Sequence, residues 1–551
     1  MATQYSISDR KMATMYGKSH NLRKRKPANP VTRTFQEDSA LKSSLPSGIA
    51  SSGVSSGTST PIPEDAPPSV VATSSARKER RAEQRKRLFP TIDYEPRVSH
   101  FDPQSDYTDF RGFFVLFWIG LAIMVITTAL RNIREFGYPL SMRQRATFTQ
   151  NIWEMGFSDL IMASTTALSL PLHLVYKNGP KFLQWDGSGM WIQSIGQLLW
   201  LVFWTSWPFV RDWTWTAQVF FTLHLLALFM KMHSYAFYNG HLSVTERRLR
   251  ELDEPSPSTD KNPAVKYPSS HTHLNEMVQQ EEERETARRS SVGHLRQELA
   301  EELVSPLGGV TYPQNLTLYN YIDYLCCPTL CYEIEYPRTA KRSYMEIFYK
   351  TLAVFGCVFL LTVISDEFII PTLDESAVRL QKQQNWQDGA LIFAETVSRL
   401  LWPFMLIFLL VFLVIFEYLC GAFAEITRFA DRQFYSDWWN SLDWLEFSRE
   451  WNIPVHNFFR RHVYSASRTT MSRPVATFIT FLISSLAHEL VMGCITRKFR
   501  GYGFVAMMMQ MPIVLFQRLP FIRRRKLLNN VLFWCSMVLG LSMICALYVL
   551  V

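Results

Sequence analysis

The sequence predicts an all-α polytopic membrane protein of about nine transmembrane helices, because several apolar runs reach the ~20 residues that span hydrocarbon. Two further observations agree. Hydrophobic residues make up 48% and aromatic residues 14% of the 551-residue chain, while charge gathers at the N-terminus, in one central stretch and in short loops. Trp and Tyr crowd the ends of the apolar runs, as they do at membrane interfaces. The net charge is +9, and its basic clusters flank apolar spans, so they set topology and give no reason to expect nucleic acid. The eight cysteines form no secreted framework. Cys326, Cys327 and Cys331 lie close together, but no histidine or second CxxC completes a zinc set, so no metal is expected.

Taken in order, residues 1–90 form a Ser-, Thr-, Pro- and Gly-rich region, expected to be disordered and cytosolic. It closes on a basic arm (Arg77, Lys78, Arg80, Arg81, Arg85, Lys86, Arg87), either a topology determinant or a contact with anionic lipid. No apolar core of a signal peptide lies near Met1. Residues 91–242 hold spans one to four, near 112–130, 157–175, 190–210 and 215–232. The second is dilute in Ser and Thr, which suits a helix packed against others. Residues 243–305 read as a charge-mixed cytosolic linker. Residues 306–551 hold spans five to nine, near 347–370, 390–426, 475–494, 504–516 and 528–551. The run 390–426 is too long for one upright helix; it is tilted, kinked near Pro403, or extended beyond the bilayer. With the N-terminus cytosolic, two basic loops (131–149 and 497–500) fall on the lumenal side against the loop-charge rule.

The chemistry concentrates between residues 434 and 490. His488 lies within an apolar run, and an ionisable group there usually faces a bundle interior or wet cavity and marks function; the alternative is a packing histidine bonded between helices. Ser484, one turn earlier, shares its face. The following His-Glu-Leu-Val-Met lacks the second histidine of a zinc-protease motif. Asn452, in an aromatic loop, offers an amide that either steadies an oxyanion or caps a helix. Phe434, Tyr435, Ser436, Asp437, Trp438, Trp439 and Asn440 pack rings around a carboxylate and an amide, denser than an interfacial belt. Arg432, Arg449, Arg460, Arg461, Arg468 and Arg473 either meet a polyphosphate or flank spans. His173, His224 and His233 read as interhelical hydrogen-bond partners. The Asn315-Leu316-Thr317 sequon falls in the cytosol in this topology.

Together these stretches resemble the membrane-bound O-acyltransferase superfamily, in the branch of acyl-CoA:cholesterol (sterol O-) and acyl-CoA:diacylglycerol acyltransferases. Phe434 to Asn440 matches the FYxDWWN signature, Trp451-Asn452 with His456 the WNxxVH stretch, and Ser484 to Glu489 the active-site histidine helix. Tyr312 to Thr317, Pro328 to Glu333 and Lys231 to Tyr235 add similarity, which covers residues 110–551. Asn452 to His456 and Pro328 to Glu333 look like the diacylglycerol enzymes. Tyr336 to Thr339, Arg428 to Arg432, His462 to Tyr464 and His488 to Met492 look like fungal-type sterol acyltransferases, the preferred branch. The resemblance implies an MBOAT-like bundle with an internal reaction chamber in the endoplasmic reticulum membrane, and transfer of a long-chain acyl group from acyl-CoA to a sterol, or alternatively to diacylglycerol. It implies His488 as general base, Asn452 at the acyl carbonyl and Trp451 packed beside it. Arg449, Tyr464 and Ser484 become CoA contacts, with the loop carrying Phe434, Tyr435, Asp437, Trp438, Trp439 and Asn440 facing the cofactor; His456 is support. Acyl-CoA is a co-substrate, no cofactor is held permanently, and relatives suggest a dimer or tetramer. A transporter using His488 as a proton relay is the reading from another class; it would show inverted repeats or paired broken helices.

Overall fold

The computed structural model describes residues 89, 92, 94–102, 105, 107, 111–140, 150–253 and 295–551. The basic arm and the heart of the polar linker, residues 254–294, lie outside them. The described chain is helical, with isolated bridges at Arg97–Asp431, Val304–Thr311 and Arg338–Phe429 and no strand. Its main helices are α1 (Arg111–Phe136), α2 (Ile152–Thr166), α3 (Ser169–Asn178), α4 (Met190–Val210), α5 (Trp215–Asp253) and α6 (Leu318–Cys326). They continue with α7 (Tyr344–Gln381), α8 (Trp386–Thr427), α9 (Trp444–Glu450), α10 (Ile453–Phe458), α11 (Arg473–Thr496), α12 (Tyr502–Gln517) and α13 (Lys526–Leu550).

Among the described residues, six helices are long and apolar enough to cross a membrane: α1, α5, α7, α8, α11 and α13. They match six of the expected spans. The protein is therefore a multi-pass membrane protein. The eighth expected span is the shorter apolar helix α12, and the third is α4, whose ends fall where the sequence put them. The second is not one helix. Ser164, Thr165 and Thr166 each turn a hydroxyl back onto a carbonyl of the preceding turn, which competes with the helical ladder. Pro171 then has no N–H for the Ala167 carbonyl, and the chain breaks into α2 and α3 between these features.

The long run around Pro403 is a single helical rod of 42 residues, about 63 Å at 1.5 Å per residue. Pro403 is buried and does not break it; the irregularity is a π-helical turn ten residues on, Leu413–Leu419. A second such turn, Ser365–Ile369, divides α7. The apolar window of α1 is only 11% buried against protein, whereas those of α5 and α8 are 44% buried. So α1 lies at the lipid margin, and α5 and α8 are the central posts. α5 packs on α2, α3, α4 and α11, and α8 on α7 and α13.

Residues before α1 reach into the same core. Phe89 packs against Tyr238, His241 and His462, and Tyr94 Oη lies 2.6 Å from Thr329 Oγ1. Arg97 grips Asp431 with two bonds, at 2.9 and 2.5 Å, and exchanges backbone bonds with Ala430 and Arg432. Such a fork-to-carboxylate pair fixes geometry as well as adding energy.

Candidate active site

His488 lies within α11, and its surroundings decide what it can do. Its Nδ1 stands 2.8 Å from the backbone carbonyl of Ser484, one turn back. A carbonyl only accepts, so Nδ1 donates in that bond, and neutral His488 keeps its free lone pair on Nε2. The side chain is exposed. Val475, Ile483 and Leu486 form an exposed apolar stripe at 45, 40 and 55% exposure. At about 100° per residue each lies about 140–160° around the helix from His488. α11 packs on α5, α12 and the π-helical turn Phe459–Ser465; of its buried residues, Ser485 lies about 60° around the helix from His488 and Ala476, Gly493 and Cys494 about 120–140°.

That turn continues α10, whose N-cap is Asn452. Asn452 Oδ1 accepts from Val455 N at 3.1 Å, and Pro454 stands in the first turn. The cap fixes the amide plane, and among the described residues the Nδ2 group has no partner. Of the two sequence readings of Asn452, the structure shows the cap, made by the oxygen, and it leaves the nitrogen as a donor. No hydrogen bond joins Asn452 to His488; the link is through the continuous segment from α10 to the turn beneath α11.

The 434–440 stretch holds that loop in place. Ile453 N donates to Phe434 O at 3.0 Å, and Ser436 N to Glu450 O at 2.9 Å. Phe434, Tyr435 and Trp438 are 3, 1 and 1% exposed, so they belong to the core and present almost no surface to a ligand. Tyr435 Oη reaches Glu417 Oε2 at 3.2 Å and Ser99 Oγ at 2.8 Å. Trp438 meets Trp451, Phe412 and Phe408 edge-on, and Trp451 stacks on Phe408 at 4.5 Å. Trp451 is thus a ring of this aromatic packing, beneath the Asn452 cap. Trp439 is held through its carbonyl by Asn530 Nδ2 and Trp534 Nε1, both at 3.1 Å. Asp437 accepts from Ser436 Oγ at 3.0 Å, and Asn440 is exposed.

The cations of the loop divide into two groups. Arg461 is not a phosphate ligand: it is 1% exposed and pairs at 2.7 Å with Glu333, itself 2% exposed. Its guanidinium stands 4.4 Å over the Tyr238 ring and donates to Tyr332 O. Burial raises the Glu333 carboxyl above its usual range, and Arg461 opposes that shift. Arg432 is likewise taken, by Glu425 and Glu346. Arg449, Arg460 and Arg473 are exposed, and Tyr464 is half-buried on the π-helical turn. Two titratable neighbours are displaced by burial. His456 falls to about 4, burial first and Arg460 and Arg449 next. Glu450 rises to about 7, burial first, then Glu446 and Asp437.

His224 and His233 are interhelical partners, as read from sequence: His224 Nδ1 meets Asp159 at 2.6 Å and His233 Nδ1 meets Gln197 at 3.1 Å. His173 is not, for its Nε2 is buried without a hydrogen bond among Tyr176, Trp185 and Tyr235. The Asn315 sequon has a further obstacle beyond topology. Its amide is 1% exposed and bonded to Asn239 and Tyr332. Among the described residues, no group of His, Cys, Asp and Glu could hold a metal.

The family pattern of membrane-bound O-acyltransferases matches residues 182–550. "Probable sterol O-acyltransferase 2" of Schizosaccharomyces pombe is 39% identical over 478 residues, 86% of this chain and 93% of that protein. "Sterol O-acyltransferase 2" of Candida albicans is 33% identical over 497 residues, 84% of this chain and 78% of that protein. A shorter likeness, 30% over 247 residues, joins 45% of this chain to 39% of "Diacylglycerol O-acyltransferase 1" of Dictyostelium discoideum. This chain belongs to the membrane-bound O-acyltransferase family.

Within this O-acyltransferase, sequence reasoning missed the residues that hold the site. Glu417, on the π-helical turn of α8, is 7% exposed. It gathers Ser99 Oγ at 2.5 Å, Tyr435 Oη at 3.2 Å and Lys350 Nζ at 3.0 Å. A carboxylate inside an apolar run was the available signal. Lys231 of α5, which the sequence offered only as part of a similar stretch, is 8% exposed. It donates to the carbonyls of Tyr324 and Cys327 at 3.1 and 2.6 Å, closing the end of α6.

Proposed function

We propose that this chain is a sterol O-acyltransferase, moving a long-chain acyl group from acyl-CoA to the sterol 3-hydroxyl and releasing CoA. The observation that carries the reading is the His488 Nδ1–Ser484 carbonyl bond, which leaves the Nε2 lone pair free to act as a base. A sterol hydroxyl is too weakly acidic to attack unaided. His488 Nε2 takes its proton as the oxygen bonds to the thioester carbon. The resulting oxyanion accepts from the fixed Asn452 Nδ2, which is worth most where water is scarce. The intermediate then collapses, the C–S bond breaks, and the imidazolium returns its proton to the CoA sulfur. The large aromatic assembly around Trp451 and Trp438 keeps Asn452 at a constant height, as positioned donors require.

CoA approaches from the cytosol across the 434–473 loop, where exposed Arg449 is the first cation for its phosphates, and Tyr464 and Ser484 lie further in. The chamber around His488 receives the acyl chain and the sterol. The enzyme works in the endoplasmic reticulum membrane with its N-terminus cytosolic, and residues 306–551 form the catalytic part. The preference for sterol rests on the breadth of the likeness to sterol O-acyltransferases against the shorter one to a diacylglycerol enzyme.

The test is purified full-length protein given labelled oleoyl-CoA with sterol and diacylglycerol in competition. Labelled steryl ester is expected, and His488→Ala is expected to lower kcat by about 10²–10⁴-fold. Turnover retained by His488→Ala would overturn the mechanism, and triacylglycerol as the main product would overturn the acceptor.

A further inference from the structure

Three helices meet on the carboxylate next to the catalytic imidazole. Glu489 Oε1 accepts from Gly501 N at 2.7 Å. Its Oε2 accepts from Phe504 N at 3.1 Å and from Tyr548 Oη at 2.7 Å. Tyr548 Oη in turn accepts from Gly503 N at 3.2 Å. Glu489 therefore serves as the cap that α12 lacks: Gly501, its own N-cap residue, has φ 78 and no side chain to offer. Anionic capping of exposed N–H groups is stabilising. The same carboxylate ties α11 to the last turn of α13, where Lys498 Nζ also reaches Tyr548 O at 3.3 Å. At the same C-terminal end of α11, its C-cap Arg497 holds Asp212 and Trp213 at 2.9 and 3.0 Å.

These bonds fix the rotation of α11 about its own axis. A side chain tip lies about 5–6 Å from a helix axis, so a 10° turn of α11 would carry the imidazole about 1 Å sideways. Misplacement of that size costs reactions about 10²-fold. We infer that Tyr548 is a positioning residue for acyl transfer, acting through Glu489 to hold His488 at its working angle. The inference rests on His488 being the base, as proposed above. It assigns to the last turn of α13 a part in the chemistry of α11, which the sequence separates by 60 residues.

Tyr548→Phe removes one hydroxyl and keeps the buried ring, which is 1% exposed and sits 5.3 Å from the Tyr502 ring. Gly503→Ala approaches the same point from the other side, its new methyl 3.1 Å from Glu489 Oε2. In full-length protein in lipid nanodiscs, each is expected to lower kcat about 10–100-fold while KM for acyl-CoA changes less than about twofold. The unfolding midpoint of Tyr548→Phe should stay within about 3 °C. Combining Tyr548→Phe with Glu489→Ala should cost no more than Glu489→Ala alone, because both act through one path. Unchanged kcat in both single variants would overturn the inference. So would a kcat loss matched by a fall in the unfolding midpoint or a rise in KM, which marks a structural part only. Multiplying losses in the double variant would overturn it too. If His488→Ala turns over normally, the base assignment fails instead, whatever Tyr548→Phe does.

Discussion

Asn452 caps α10 with its amide oxygen and, in the proposed mechanism, steadies the oxyanion with its amide nitrogen, and the two parts can be separated. Serine is an effective N-cap but has no second donor at the position of Nδ2. Asn452→Ser should therefore keep stability within about 1 kcal/mol and still lose about 10²–10³ in kcat, read from thermal unfolding and steady-state turnover together. A variant that keeps its turnover would reduce Asn452 to a cap. Glu450, beneath the same loop, makes a pH prediction. Its folded pKa of about 7 lies above the ordinary carboxylate value, so the folded state binds the proton more tightly than the unfolded one. Its contribution is most favourable below the unfolded pKa and is lost as pH rises through about 7. Glu450→Gln should raise the unfolding midpoint at pH 8, change it little at pH 4, and flatten the profile between them. An unaltered profile from pH 4 to 8 would refute this.

At the scale of elements, the π-helical turn after α10 places Arg461 on Glu333, and the pair joins that turn to the segment after α6. Removing one member leaves the other charged without a partner in a dry place. Arg461→Ala is expected to cost about 3–5 kcal/mol, measured by denaturation in detergent. Arg461→Met with Glu333→Gln should recover most of that loss, since replacing a buried pair by groups of similar volume is often neutral. The sequence left Arg461 either to meet a polyphosphate or to flank a span, because a loop arginine usually faces water. Its partner is 128 residues away, and no local pattern links the two. The π-helical turn of α8 is similar: apolarity gave the rod, but only packing against Ser99, Tyr435 and Lys350 explains where its geometry changes.

At the scale of the molecule, the described residues before α1 are part of the catalytic body. Phe89 fills the core beside His462, Arg97 clamps Asp431, and Ser99 meets Glu417 next to the 434–440 stretch. Deleting residues 1–107 should lower the unfolding midpoint by several degrees, at about 2–4 °C per kcal/mol for a chain of this size or less, and reduce monodisperse protein on size exclusion. An unchanged midpoint would show that these contacts add nothing. The sequence by itself determined the class of the molecule, six of its long helices and the family signature, and it singled out His488 as the candidate base. Hydrophobic length is a local property, and an imidazole in an apolar run is costly enough to stand out in the sequence as a candidate. The tertiary structure alone decided which ring nitrogen of His488 is free, that α2 and α3 are two helices, and that the aromatic signature is buried support for Asn452. It also decided which charges find partners, as Glu333, Glu417 and Glu489 do. Those outcomes depend on groups far apart in the chain, because a buried polar atom takes whatever partner the packing brings within 3 Å or so.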